Sequence, residues 1–260
     1  MKTLDGILTN LIVLSLLLPL VPVFTQAKPA GQRDPQTDRN KATEAAQTPP
    51  IVLTAGTEVE QTIKRNQTQR YSLHADKGQL ISLHLEQEGV DSKMALIGPD
   101  GSVKDRIESL TGSVGPVVLE SIAETSGDYT ATVQANSALR GAHYRLLANI
   151  RAAGDRDIQR IGAQRATVAA LDMFEKRDPN SASKFESAAS VWHDVGDGYN
   201  EGTCFLMAGV VYRNMADPDD ALKNDQRALA IFRSSNTARM EAYTLNNIGQ
   251  IYYSLENIEG

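Results

Sequence analysis

Few residues in this 260-residue chain have acid–base or nucleophilic reach: His74, His84, His143, His193 and a single cysteine, Cys204. A thiolate nucleophile needs a base within hydrogen-bond distance. His193 is the histidine nearest to Cys204 in sequence, but nothing in the spacing forces the two together. Cys204 stands beside Phe205 and Leu206 in a helical pattern, as a small buried hydrophobe does. The chain has no H-x-x-x-H pair, no Gly-rich phosphate loop and no G-x-S-x-G elbow. Asp91, Asp128 and the "GPDG" at Gly98–Gly101 offer oxygen atoms of the calcium-ligand kind, yet Asp and Gly are also what tight turns require. The expectation is therefore a non-enzyme with no catalytic set, no cofactor and no metal.

Composition narrows the partner. Net charge is −6 with no basic stripe, which argues against nucleic acid. Hydrophobic residues make up 41% and charged residues 22%, enough for one or two ordinary cores. Aromatic content is 5%, so packing must lean on aliphatics and alanine. Lys2 precedes "LIVLSLLLPLVPVF" at Leu11–Phe24, and small residues follow at Thr25 and Ala27. This pattern predicts a signal peptide over 1–27, cut after Ala27, and export to the periplasm or beyond. The run is short for a spanning helix and is interrupted by Pro19 and Pro22. An uncleaved anchor, the only route to a membrane, is the alternative. A lone cysteine gives an exported chain no internal disulfide. Residues 28–49 are polar, Pro-containing and poor in large apolar side chains, which predicts a disordered linker.

Over 50–152 the period is two. Ile81, Leu83 and Leu85 alternate with Ser82, His84 and Glu86; Tyr129, Ala131 and Val133 alternate with Thr130, Thr132 and Gln134; Tyr144, Leu146, Ala148 and Ile150 share one side. Shorter candidates lie at Glu58–Ile63, Arg70–His74, Met94–Ile97 and Val117–Ser121. Turn signals at Asp76–Gly78, Gly98–Gly101 and Ser126–Asp128 separate them. The pattern predicts an antiparallel β-sandwich or barrel of about eight strands.

From Asp155 the period becomes helical. "RDPNSAS" at Arg177–Ser183 and "ADPDDAL" at Ala216–Leu222 open alike, with Asp178 and Asp217 placed to cap and Pro179 and Pro218 placed in a first turn. A recurrence of this length is a repeat signature. First helices are expected at 157–176, 200–214 and 238–254, second helices at 179–194 and 218–233. Phe205, Gly209 and Tyr212 match Leu245, Gly249 and Tyr252, and paired alanines recur at Ala182/Ala189 and Ala221/Ala228. These residues resemble the tetratricopeptide repeat over 155–260, with about two and a half units. The resemblance weakens in the first unit, where Ala170 and Met173 replace the Gly and Tyr, and in the second helices, where Glu186 and Asp225 stand at positions the family fills with an aromatic. Gly209 and Gly249, glycines inside helices, are expected where neighbouring helices approach closely.

The β part is similar to the bacterial pre-peptidase C-terminal type of sandwich, in its order of "QRY", "ADKGQ", "GPDG" and "GDY". Together the segments resemble the front of exported bacterial tetratricopeptide proteins, including those that end in a caspase-like (CHAT) peptidase domain, which is absent from this chain. The expected fold class is thus multidomain: an antiparallel β-sandwich followed by an all-α tetratricopeptide-type helical repeat array. The resemblance implies a concave face of first helices carrying Thr203, Met207, Val210, Arg213 and Asn214, then Tyr243, Asn246, Asn247, Gln250 and Tyr253. Asn and Gln amides donate and accept, so they can pair with an extended peptide. Arg213 could hold a carboxylate, and Tyr adds apolar area at low entropic cost. The expected function is a non-catalytic, exported protein-interaction module binding a protein or peptide. The alternatives are the regulatory front of a CHAT peptidase and a glycan-binding or cell-surface β-sandwich. The chain's last segment, "YTLNNIGQIYYSLENIEG", reads as the first helix of a unit whose second helix is missing, so truncation and self-association through this end are expected.

Overall fold

The computed structural model describes residues 49–113 and 115–256. The expected signal peptide, its cut after Ala27 and the linker up to residue 48 lie outside them. The described residues form seven strands and then five helices. The strands are β1 (Ile51–Val52), β2 (Glu58–Thr62), β3 (Thr68–Ala75), β4 (Gln79–Ile97), β5 (Val103–Glu108), β6 (Pro116–Ile122) and β7 (Gly127–Ala152). The helices are α1 (Asp155–Glu175), α2 (Ser181–Val195), α3 (Gly198–Asn214), α4 (Pro218–Ser234) and α5 (Ala238–Glu256).

The sheet differs from the expected antiparallel sandwich. It is one mixed, seven-stranded sheet: β1 runs parallel to β3, and the other pairs are antiparallel. Its centre is the pair β4–β7, registered from Gln79↔Ala152 to Ile97↔Thr130. Segments that alternation divides into separate strands are single long ones. The physical reason is at Gly89 and Gly141, whose φ values of 71° and 81° let the chain bend while pairing resumes on the far side. Register shifts between Glu88 and Val90 and between Asp91 and Ser92 mark the bend. The first half of β4 pairs with β6, the second with β5; β7 pairs with β3 in its first half and β2 in its second. Leu83, Leu85, Met94, Leu96, Val133 and Leu146 from both halves meet in one buried cluster. At its centre the hydroxyls of Tyr71 and Tyr144 are 2.6 Å apart and both donate to Gln69 Oε1 or to each other.

The helices form a bundle in which chain neighbours pack pairwise, α1 on α2 through to α4 on α5. The expected tetratricopeptide-type repeat array is not what the chain builds. The two Asp-Pro signals are not equivalent. Asp217 caps α4, its carboxylate accepting from Asp220 N–H at 3.1 Å, with Pro218 in the first turn. Asp178 instead closes a turn onto Asn180 N–H at 2.9 Å, Pro179 stays outside the helix, and α2 begins at Ser181. The capping counterpart of Asp217 is Asp197, one helix earlier, which accepts from Asn200 N–H at 3.0 Å. The glycines differ too. A Cβ on Gly209 would meet Asp225 Oδ1 at 2.5 Å, whereas one on Gly249 would meet nothing within 4 Å.

Sheet and helices share an interface built on α1. The Gln164 amide accepts from Glu120 N–H at 2.9 Å and donates to Glu120 C=O at 3.1 Å. Arg160 pairs with Glu120 at 3.0 Å and Arg165 with Asp105 at 2.7 Å. Asp157, near the start of α1, accepts from Gly154 N–H and pairs with Arg151 of β7. On the helical side, Leu110 of the β5–β6 connection packs on a cluster containing Leu171, Phe185, Met207 and Val211.

Candidate interaction face

The candidate catalytic couple is not assembled. Cys204 is fully buried next to the Thr167 hydroxyl, and burial pushes its thiol up to about 12. His193 is exposed at the end of α2 and pairs with Glu201 at 3.2 Å. The buried cysteine expected from the helical pattern is what the helices provide.

A second cluster is polar and was only half visible in the sequence. Strand alternation puts Ser82 and His84 on one face of β4. The structure adds Glu120 from β6 and Arg160 from α1, lining a groove of about 360 Å³ with Asn149 and Arg151. Ser82 Oγ donates to Glu120 Oε1 at 3.2 Å and lies 3.0 Å from His84 Nε2. With that hydroxyl proton directed at the carboxylate, His84 in its Nε2–H form donates to Oγ. Burial holds His84 below its ordinary pKa, with Arg160 reinforcing and Glu120 and Glu86 opposing. This is a satisfied network holding sheet to helix. Buried Glu120 is the member that periodicity does not announce, because an acid on the outer face of a strand is expected to be exposed.

The expected concave face is divided by the structure. On α3, Thr203 and Met207 are buried, with Thr203 beside the β5–β6 connection and Met207 against Leu110. Val210 and Arg213 are half-buried, and Asn214 is exposed in the last turn. On α5 the inner face is Met240, Thr244, Asn247 and Ile251, all buried. Tyr243, Asn246, Gln250 and Tyr253 are exposed and share roughly 80° of arc at 100° per residue. Asn247 is therefore parted from its expected companions. Leu245 and Tyr252 are exposed on the opposite flank of α5, at 44% and 49%, while Tyr253 reaches 72%. From Ala242 to Leu255 the helix carries no charged residue. At its start Glu241 pairs with Arg233 at 2.8 Å.

Among the described residues, no group of three or more His, Cys, Asp or Glu could hold a metal ion. No described helix is long and apolar enough to cross a membrane.

No family profile matches this chain, and no curated protein does. Solved structures similar to its β part include the pre-peptidase C-terminal domain of a Bacillus anthracis collagenase, at 14% identity and a TM-score of 0.32. That likeness covers 40% of this chain and 99% of the other. Another is Salmonella Typhimurium PliG, a periplasmic inhibitor of g-type lysozyme, at 22% identity and a TM-score of 0.30, covering 39% of this chain and 98% of that one. The Aeromonas hydrophila PliG is similar at 19% identity and a TM-score of 0.30, over 39% and 96%. With TM-scores this low, these likenesses carry no part of the functional conclusion.

Proposed function

We propose that this chain is a non-catalytic, exported module that binds a protein or peptide partner on the outer face of α5. The observation that carries it is a helix, uncharged from Ala242 to Leu255, on which Tyr243 and Tyr253 stay exposed on one flank of the outer side and Leu245 and Tyr252 on the other. Large apolar side chains gathered on one element, rather than scattered singly, mark an interaction surface. Tyr is the residue type that interfaces favour, and amides between the rings supply orientation. Asn246 and Gln250 stand between Tyr243 and Tyr253 on that face, able to donate to and accept from a peptide backbone. Export rests on the apolar run at Leu11–Phe24 and the small residues before Lys28.

The test is affinity capture from an envelope extract with the mature chain, beside a Gln250→Ala/Tyr253→Ala variant of unchanged circular dichroism. A partner retained by the parent and weakened ten-fold or more by the variant supports the proposal. Equal recovery of every captured protein by both overturns it, as does a parent that captures only copies of itself. Sedimentation velocity on the purified parent distinguishes that last case.

A further inference from the structure

We infer that the seating of α5 on the bundle is proton-coupled, through the Asp225 carboxyl buried where α3, α4 and α5 meet. The inference deepens the proposal above, since α5 is the helix that carries the interaction face, but the coupling itself stands on the packing alone.

Asp225 is fully buried on the inner face of α4, and neither carboxyl oxygen has a hydrogen-bond partner. On one side it lies against α3 at Gly209, so closely that a Cβ there would come 2.5 Å from Oδ1. On the other side is α5. Met240 of α5 and Phe232 of α4 belong to one buried cluster. Counted from there, Asn247 lies two turns onward along α5 and Asp225 two turns back along α4, which is the basis for inferring that they face the same level. Asn247 is itself buried, and its Nδ2 has no partner. The Asp225 carboxyl and the Asn247 amide nitrogen are thus two buried polar groups without partners, one on each of these packed helices.

The charges around these groups are few. From α3 the only one acting on Asp225 is Arg213, one turn beyond Gly209 and half-buried. From α2, Glu186 is taken up by the Asn224 amide at 3.0 Å. On α4 itself, the Asp217 carboxylate accepts from the Asp220 N–H at the cap, and the Asp220 carboxylate pairs with Lys223 at 3.8 Å. The inner face of α5 has no titratable group. An ionised Asp225 is therefore a buried charge with little to compensate it, whereas a protonated one is a neutral group. Burial accordingly pushes the carboxyl up to about 7, and Arg213 pulls it back only in part.

The sign follows from linkage. When α5 lifts away, Asp225 meets water and returns toward the ordinary carboxylate value. The open state then binds fewer protons than the closed one between that value and about 7. Raising the pH through this window favours opening, and above it the effect levels off. Closed α5 is most secure in acid.

The test is hydrogen exchange of the Met240–Leu255 amides on the isolated mature chain at pH 6 and pH 8, scaled for intrinsic exchange rates. The opening constant of the parent is expected to rise about ten-fold between the two. In Asp225→Asn, which keeps the shape without the titration, it is expected to stay flat. A parent with no rise, or an Asn variant with the same rise, overturns the inference. A readout independent of the variant's folding is the infrared band of a protonated carboxyl at pH 6, with Asp labelled by ¹³C. Its disappearance by pH 9 supports the coupling, and its absence at pH 6 overturns it. No partner is present in either measurement, so the capture experiment and this one fail separately.

Discussion

Gln164 does for β6 what a neighbouring strand would do. Glu120 sits opposite Ser82, and its backbone N–H and C=O turn away from β4. The Gln164 amide supplies one acceptor and one donor to them, itself only 3% exposed. Gln164→Ala would leave both backbone groups buried without partners. It is expected to lower stability by about 2 kcal/mol in urea unfolding. Arg165 is a similar case, because the Asp105 carboxylate it meets is 3% exposed and has only Ser121 as its other partner. Arg165→Ala is expected to cost about 2 kcal/mol, less than for a fully buried pair because the guanidinium is largely in water. Neither role is visible in a linear reading. Glutamine on a helix has no periodic signature, and the acids it helps to bury arrive from strands some forty to sixty residues away. Asn247 is legible only as an anomaly: a mid-helix asparagine needs a reason, and the structure buries it on the inner face of α5.

At the scale of elements, the sequence carried more. Each helix appears within about two residues of its expected ends, because caps and prolines act locally. What alternation could not show is that β4 and β7 are continuous across Gly89 and Gly141. A glycine with positive φ looks the same in sequence whether it ends a strand or bends one. The repeat signature misled for a related reason: Asp-Pro pairs recur in the chain, but only Asp217 caps a helix with its proline inside. The helical glycines give a direct test of their unequal packing. A Cβ on Gly202 would lie 2.7 Å from the buried Phe232 ring, whereas Gly249 has open space. Gly202→Ala is expected to destabilise by about 1–2 kcal/mol despite its better propensity. Gly249→Ala is expected to stabilise by about 1 kcal/mol. Thermal midpoints moving in the same direction for both would show that the two positions are packed alike after all.

For the whole molecule, α1 makes sheet and helices depend on one another. Its polar face holds β5 and β6, while Leu110 from the strand side enters the helical cluster. The two parts are therefore expected to unfold in one transition. Trp192, the single tryptophan, donates to Thr167 inside the helical bundle and reports that part by fluorescence. Far-ultraviolet circular dichroism reports both parts. Coincident urea midpoints are expected, and an earlier fluorescence midpoint would show that the bundle melts by itself. The Gln164–Glu120 contact has a further consequence once the two parts are separated. A fragment ending at Ala152 would expose β6 as a bare edge, with the Glu120 N–H and C=O facing solvent, ready to pair with the same edge of another molecule. In such a fragment intermolecular strand addition would replace the amide, and the helix beside the sheet is what keeps separate chains from joining along it.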